Sequence, residues 1–409
     1  MNGLLSAART GEPTDIIDSA LETVRRHLGM EVAYLSEFVD GQTVFRAVSA
    51  PGLEGMIKPG DSRAISEVYC KHIIEGRLPR VIRDTREEPL AMAMPITAAV
   101  PIGSHVSVPI HRADGSVYGM FCCLSPRPNA TLGPRDLHVM ELFASISAEQ
   151  VNTSLARRSR LDAIMAATEA AMVPDGFDVV YQPIIDLEAM LPRGFEALCR
   201  FRSVPYRSPD KWFAEAAEVG LAETLECAVA ERALRAVGHI PAFAYVSINA
   251  SPATVESGAL ARMLAERDVS RIVLEVTEQA VVSDYDRILR QLDVLRGRGM
   301  RIAVDDAGAG YAGLQQILRL RPDLIKLDMS LTRDLDADHA RASLVEAMTG
   351  FARKTGAVVV AEGIETEAEL AALRRLGVEC GQGYLLGRPE SLEQATARAR
   401  AAALLEPAF

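Results

Sequence analysis

Seven polar residues sit within or at the ends of short apolar runs in the second half of the chain: Glu196, Asn249, Glu275, Asp305, Lys326, Glu362 and Gln382. Each alone has a dull explanation. Asn249 suits a turn, Glu275 a surface strand, and Glu362 the start of a helix, where an acid meets the positive end of the dipole. Those explanations leave the repetition unaccounted for. If the runs are strands of one closed sheet, the side chains meet at one mouth. Four or five carboxylates there repel each other strongly unless cations sit among them. The donors are oxygens of Asp, Glu and Asn, without His or Cys, a set that suits the hard cations Mg²⁺ or Mn²⁺.

The elements that must position them repeat one grammar. An apolar run ends on a polar or acidic residue, and an amphipathic segment follows. The runs read "DVVYQPI", "GFEALCRF", "FAYVSINAS", "RIVLEVTE", "RIAVDD", "DLIKLD", "AVVVAEG" and "CGQGYLLG". Eight strand–helix units of this kind predict an α/β barrel of the TIM type, whose chemistry lies at the carboxyl ends of its strands. No helical segment separates the first two runs, so they form a hairpin and one strand of the barrel is antiparallel.

The first half reads differently. Ile16, Ile17, Ala20, Leu21, Val24 and Leu28 make one face of a helix over 14–29. Alternating strands follow in "EVAYLSEF" and "QTVFRAVSA", and "SRAISEVYCKHIIEG" fits a second helix ending at Gly76. A later hairpin turns at Asp114-Gly115. This mixture predicts an α+β domain. From Pro134 to Met172 nothing breaks a helix, and Leu137, Met140, Ser147, Val151, Leu161 and Met165 give an imperfect heptad-like stripe. We read it as a dimeric signalling helix joining two domains.

Bulk properties exclude several classes. A chain of 409 residues exceeds one ordinary core, and a net charge of −11 argues against binding a nucleic-acid polymer. Six cysteines form no C-x-x-C pair, the start has no signal-peptide pattern, and Pro95, Pro101 and Pro109 break the longest uncharged stretch. The expectation is a reduced, cytoplasmic protein without a membrane segment. "GAGYAG", Gly308 to Gly313, spells G-x-G-x-x-G. A dinucleotide site fails on context, because Asp305 and Asp306 would face a pyrophosphate and no early βαβ unit exists.

Two resemblances sharpen these readings. "YCKHIIEGRLPRVIRDT" and "SVPIHRADGSVYGMFCCLSPRP" make residues 10–150 resemble a GAF domain, a sensory or dimerising module. Its ligand is unknown from sequence. A bilin reading for Cys70 and His72 lacks the adjacent Cys-His of that class. "FEALCRF", "INAS", "EVTE", "VDDAGAGYAGL", "IKLD", "AEGIE" and "GQGYLLGRP" resemble the EAL family in order and spacing. The domain is expected over 174–400, with the connecting helix over 134–172.

The EAL resemblance implies a phosphodiesterase that opens cyclic di-GMP to linear pGpG, with two Mg²⁺ or Mn²⁺ per site, acting as a homodimer under control of the GAF-like domain. Glu196, Asn249, Glu275 and Asp305 would hold one metal, and Asp305 would bridge to a second near Asp306. Lys326 and Glu362 would flank the attacking water, Glu362 as base or as ligand through water. Arg200 would pin a phosphate oxygen, Gln182 would contact a guanine, Gln382 would lie beside the metals, and Glu278 would anchor the loop after Asp306. That loop departs from the family's pattern: Ala307 replaces an aromatic, Ala309 a Thr, and Ala312 and Gly313 two Ser. The departure leaves a second reading open, a receptor that binds cyclic di-GMP without cutting it.

Overall fold

The structure, a computed structural model, describes residues 13–173, 175–276, 284–307 and 311–404. It divides into two compact units, Met1–Arg160 and Leu161–Phe409.

The first unit is built on a six-stranded antiparallel sheet ordered β3-β2-β1-β6-β5-β4. Its strands are β1 (Val32–Val39), β2 (Gln42–Ser49), β3 (Ser62–Ala64), β4 (Val81–Ile82), β5 (Ser104–His111) and β6 (Val117–Ser125). Asp40 and Gly41 join β1 to β2 with φ of 49° and 76°, the two left-handed residues of a turn whose twist matches its strands. The β5–β6 hairpin turns at Asp114-Gly115 as expected, and Asp114 accepts bonds from the Ser116 amide and hydroxyl. One face of the sheet packs on the helix Pro13–His27, through Ala20, Leu21 and Val24, and on Met140, Ala144 and Val151.

The expected helix from Ser62 to Gly76 is corrected by the structure. Ser62–Ala64 pairs with β2, a 3₁₀ turn follows, and only Tyr69–Ile74 is α-helical. Extended Val68 (φ −112°, ψ 157°) separates the two pieces. The open edge of β2 offers backbone partners that outweigh the segment's helical spacing. The uncharged stretch before β5 folds as two one-turn helices, Pro89–Met92 and Pro95–Ala99, each with proline in its first turn. Among the described residues, no helix is long and apolar enough to cross a membrane.

The uninterrupted segment forms one helix, Pro134–Ala171. Much of its stripe is used within its own unit, since Met140, Ala144, Ser147 and Val151 are buried. Leu142, Ile146 and Met165 remain exposed.

The second unit is a closed barrel ordered β10-β11-β12-β13-β14-β7-β8-β9. Its strands are β7 (Phe177–Asp186), β8 (Pro192–Phe201), β9 (Tyr245–Ala250), β10 (Ile272–Val276), β11 (Arg301–Ala307), β12 (Leu324–Leu327), β13 (Val358–Ala361) and β14 (Cys380–Gly381). β7 runs antiparallel to both β8 and β14, and the other pairs are parallel, so the single reversed strand is where the missing helix predicts it. Outward residues such as Leu274, Ile302, Ile325 and Val359 meet the surrounding helices.

Inside the barrel, Ile184, Tyr245, Val273, Ala303, Leu324, Val360 and Cys380 form one apolar layer. Side chains alternate along a strand, so the next inward residue lies two positions on. Two positions towards the strands' carboxyl ends come Glu275, Asp305, Lys326, Glu362 and Gln382; along β9 they are Ser247 and then Asn249. On β8 the layer position is Gly194, whose added Cβ would lie 2.6 Å from the Tyr245 ring. Glycine there lets the tyrosine fill the barrel beneath Glu196.

Candidate active site

The register brings the polar residues together in pairs. Gln182 lies opposite Glu196, and Asn249 beside Glu275. Asp305 and Asp306 are consecutive, so a regular strand would point them to opposite faces. The β11–β12 pairing instead slips between Val304 and Ala307, and Asp306 takes a φ of 54°. This bulge re-aims the pair. Oxygens of Asp305, Asp306 and Glu362 then lie within 4.8 Å of one another.

Lys326 is the centre of the cluster. Its side chain is buried, and Nζ lies 2.7 Å from Glu275, 2.7 Å from Glu362, 3.0 Å from Asp305 and 3.5 Å from Glu196. Beside it, Gln382 Nε2 donates to Glu196 Oε2 (2.7 Å) and to Gln182 Oε1 (2.9 Å), and Asn249 Nδ2 donates to Glu196 Oε1 (3.2 Å). Gln182 Nε2 donates to the Gly387 carbonyl at 3.1 Å.

One ammonium among five carboxylates sets the electrostatics. Burial opposes the charge on Lys326, but Asp305, Glu196, Glu275 and Glu362 outweigh it and hold the amine well above its ordinary value. Burial pushes Glu196 up as well; there Lys326, Gln382 and Asn249 prevail, and the carboxyl lies below its usual value. Glu275 goes the other way. Burial, with Glu196 and Asp305 adding, raises it well above the carboxylate range against the pull of Lys326. Burial likewise carries Glu362 up to about 8, opposed by Lys326 and assisted by Asp305 and Glu196.

A further cation fits this arrangement. Asp305 Oδ1 is buried and lies near the ammonium without hydrogen-bond alignment, so it keeps a lone pair uncommitted, as does Gln382 Oε1. The surrounding donors are oxygens, the set that hard divalent cations take. Such an ion would displace the protons that the raised carboxyls hold.

One sequence-selected residue stands apart from this network. Arg200, on β8, donates Nη1 to the Cys199 carbonyl (2.9 Å). Glu278 and Ala309 lie outside the described residues, and of the altered loop Ala307 is buried at the end of β11.

Two acids that position the site were not selected from sequence. Glu226 accepts the Ser251 amide (2.8 Å) just beyond Asn249, and burial raises its carboxyl. Glu369 accepts the Glu365, Thr366 and Asp334 amides and so braces the segment that follows Glu362. Thr366-x-x-Glu369 is a capping box legible in the sequence; nothing local marks Glu226.

Comparison with known proteins bears on this arrangement. A profile of the EAL domain matches residues 165–389, more than half of the chain, and a profile of the GAF domain matches residues 10–149. The chain is 33% identical over 242 residues to the cyclic di-GMP phosphodiesterase PA2567 of Pseudomonas aeruginosa, covering 56% of this chain and 41% of that protein. It is 28% identical over 341 residues to the cyclic di-GMP phosphodiesterase NbdA of the same organism, covering 80% of this chain and 41% of NbdA. The chain thus spans about two fifths of the length of these relatives. Among solved structures, the PaMucR phosphodiesterase in complex with c-di-GMP superposes with a TM-score of 0.51 at 29% identity, covering 57% of this chain and 99% of that one.

Proposed function

The chain belongs to the EAL domain family, and from that membership we propose that it hydrolyses cyclic di-GMP to linear pGpG, under regulation by its N-terminal GAF domain. The observation that carries this reading is the barrel mouth, where Lys326 holds four carboxylates around it while Asp305, Asp306 and Glu362 converge with an oxygen left uncommitted. In the reaction a water oxygen bonds to phosphorus and one ester P–O bond breaks, which opens the ring.

Glu196, Asn249, Glu275, Asp305 and Asp306 would hold two Mg²⁺ or Mn²⁺ ions. Bound there, such ions lower the pKa of a coordinated water and offset the charge of the phosphate. Lys326 keeps its proton and fixes Glu275 and Glu362 through 2.7 Å contacts. Glu362 is assigned to the attacking water, as base or as a metal ligand through water, once a bound ion has displaced the proton that its raised carboxyl holds. Gln382 orients Glu196, and Gln182 and Arg200 are assigned to the substrate's guanine and phosphate.

Further parts of the reading concern the whole protein. We place the sensory domain at 10–150, the connecting helix at 134–172 and the catalytic domain at 174–400, working as a cytoplasmic homodimer. Exposed Leu142 and Ile146, one helical turn apart, support pairing along the connecting helix.

The test is to incubate the full chain with cyclic di-GMP and Mg²⁺ or Mn²⁺ and to measure pGpG. Turnover is expected, abolished by chelator and reduced at least about a hundredfold in Glu196→Ala. Metal-dependent binding of cyclic di-GMP without product would replace the enzyme by a receptor.

A further inference from the structure

The first domain contains a cavity of about 130 Å³, walled by apolar side chains that include Phe45, Val68, Ile102 and Leu124. An apolar cavity of about 150 Å³ holds one benzene molecule. The space is therefore that of a single ring, far below the several hundred cubic ångströms of sites for larger ligands. Its two charged lining residues, Asp61 and Arg63, are of opposite sign, so no net charge there favours an anion.

The polar groups within it are mostly committed. The Tyr69 hydroxyl pairs with Thr97 Oγ1 at 2.6 Å, and the Tyr34 side chain lies beside the Cys122 and Cys70 thiols. His105 is the exception. It lines the cavity at 1% exposure, its ring stands edge-on to Tyr69 with centroids 5.3 Å apart, and its Nδ1 has no hydrogen-bond partner. A buried polar atom without a partner costs stability, so a structure that keeps one invites an occupant that supplies the bond. A water in the cavity would itself need two to four polar partners, which this lining is poor in.

We propose that this cavity binds a small, uncharged, ring-sized apolar molecule carrying one hydroxyl or N–H group, seated with that group on the His105 imidazole. A cyclic nucleotide or a tetrapyrrole exceeds the space. The neutral imidazole accepts at one ring nitrogen and donates at the other, so a phenolic hydroxyl meets it in either sense.

Phenol and toluene differ by the group in question and share the ring. Ligand-observed NMR titrations of the full chain are expected to show saturable binding of both, with phenol about fivefold tighter, the worth of one net hydrogen bond. In His105→Leu toluene binding persists and the preference for phenol disappears. Ile57→Phe, which fills the cavity from its half-exposed edge, removes binding of both and keeps a test in hand should His105→Leu not fold. The proposal is overturned if neither probe saturates, if wild-type protein binds them equally, if the phenol preference survives in His105→Leu, or if cyclic GMP displaces phenol. None of these outcomes depends on turnover of cyclic di-GMP.

Discussion

The barrel mouth and the cavity of the first domain are both interior spaces beside a sheet, yet they are made of opposite materials. At the mouth, oxygens crowd together, and the protein holds them there with one buried ammonium and the two amide side chains of Asn249 and Gln382. In the cavity the lining is mostly apolar, and one imidazole nitrogen in it has no partner. Charge cannot be buried without a partner, so the mouth demands particular residue types at particular strand positions. Apolar space makes no such demand. Any well-packed set of Val, Ile, Leu and Phe closes it, and its selectivity is concentrated in the one polar atom that packing leaves unpaired. Built this way, the two sites answer to pH and to mutation in opposite senses.

The largest break expected is at Lys326. Lys326→Met leaves Glu275, Glu362, Asp305 and Glu196 without their shared cation. Removing one partner of a buried ionic network costs about 3–5 kcal/mol, and loss of this charge beside the phosphate should reduce turnover by about 10²–10³-fold. In wild type the amine's value is raised, so its contribution is complete below the ordinary lysine value and constant across neutral pH. In the variant the carboxyls take up protons instead. Its stability deficit should therefore shrink as pH falls from 8 to 5.5, as read from the urea transition of the barrel. A deficit equal at both pH values, or activity within tenfold of wild type, would show that the ammonium does not balance the site.

The cavity should respond in the reverse direction. Burial lowers His105 from 6.5 to about 4. A depressed folded value means that the unfolded chain binds the proton first, so this contribution is complete above about 6.5 and is lost as pH falls towards 4. At one pK unit per 1.36 kcal/mol, the first domain should lose about 2 kcal/mol between pH 7 and pH 5. His105→Gln should flatten that slope. Tyr69 packs on the ring, and Asp61 and Arg63 share the cavity, so the same titration in Asp61→Asn separates their part from that of the imidazole. An unchanged slope in His105→Gln would remove His105 as its source.

The same contrast explains what was legible in the sequence. Glu275, Asp305, Lys326, Glu362 and Gln382 announce themselves because each follows an apolar interior residue by two, and repetition over eight runs turns that spacing into a barrel. Charge repulsion pointed to metal ions. It did not point to Lys326 as the first counter-charge, because contact distances belong to register and not to composition. The bulge at Asp306 is a slip of one residue, which leaves no pattern beyond the Asp doublet itself. In the first domain, the segment from Ser62 to Gly76 carries helical spacing along its length, and only the open edge of β2 decides that its start is a strand. His105 reads as one more residue of a strand, since the imidazole differs from its neighbours in lacking a partner, a property of three-dimensional packing.

The smallest effect concerns a brace of the mouth. Glu369 is buried and accepts the Glu365 and Thr366 amides at 2.9 and 3.0 Å through Oε2 and the Asp334 amide at 3.2 Å through Oε1. Burial pushes its carboxyl up, but these donors prevail and hold it below the usual value. Glu369→Ala opens the capping box of the helix Glu367–Arg375 and strands three amides, at a cost of about 1–2 kcal/mol once water reaches them. Because the Glu365 and Thr366 amides lie three and four residues beyond Glu362 in sequence, turnover should fall less than tenfold while the affinity for cyclic di-GMP is kept, a split that Lys326→Met should not show. Glu369→Gln retains an acceptor oxygen and should recover part of the loss. If Glu369→Ala lowers stability and leaves turnover unchanged, the brace holds the helix alone, and the position of Glu362 is set by strand β13 and by its contact with Lys326.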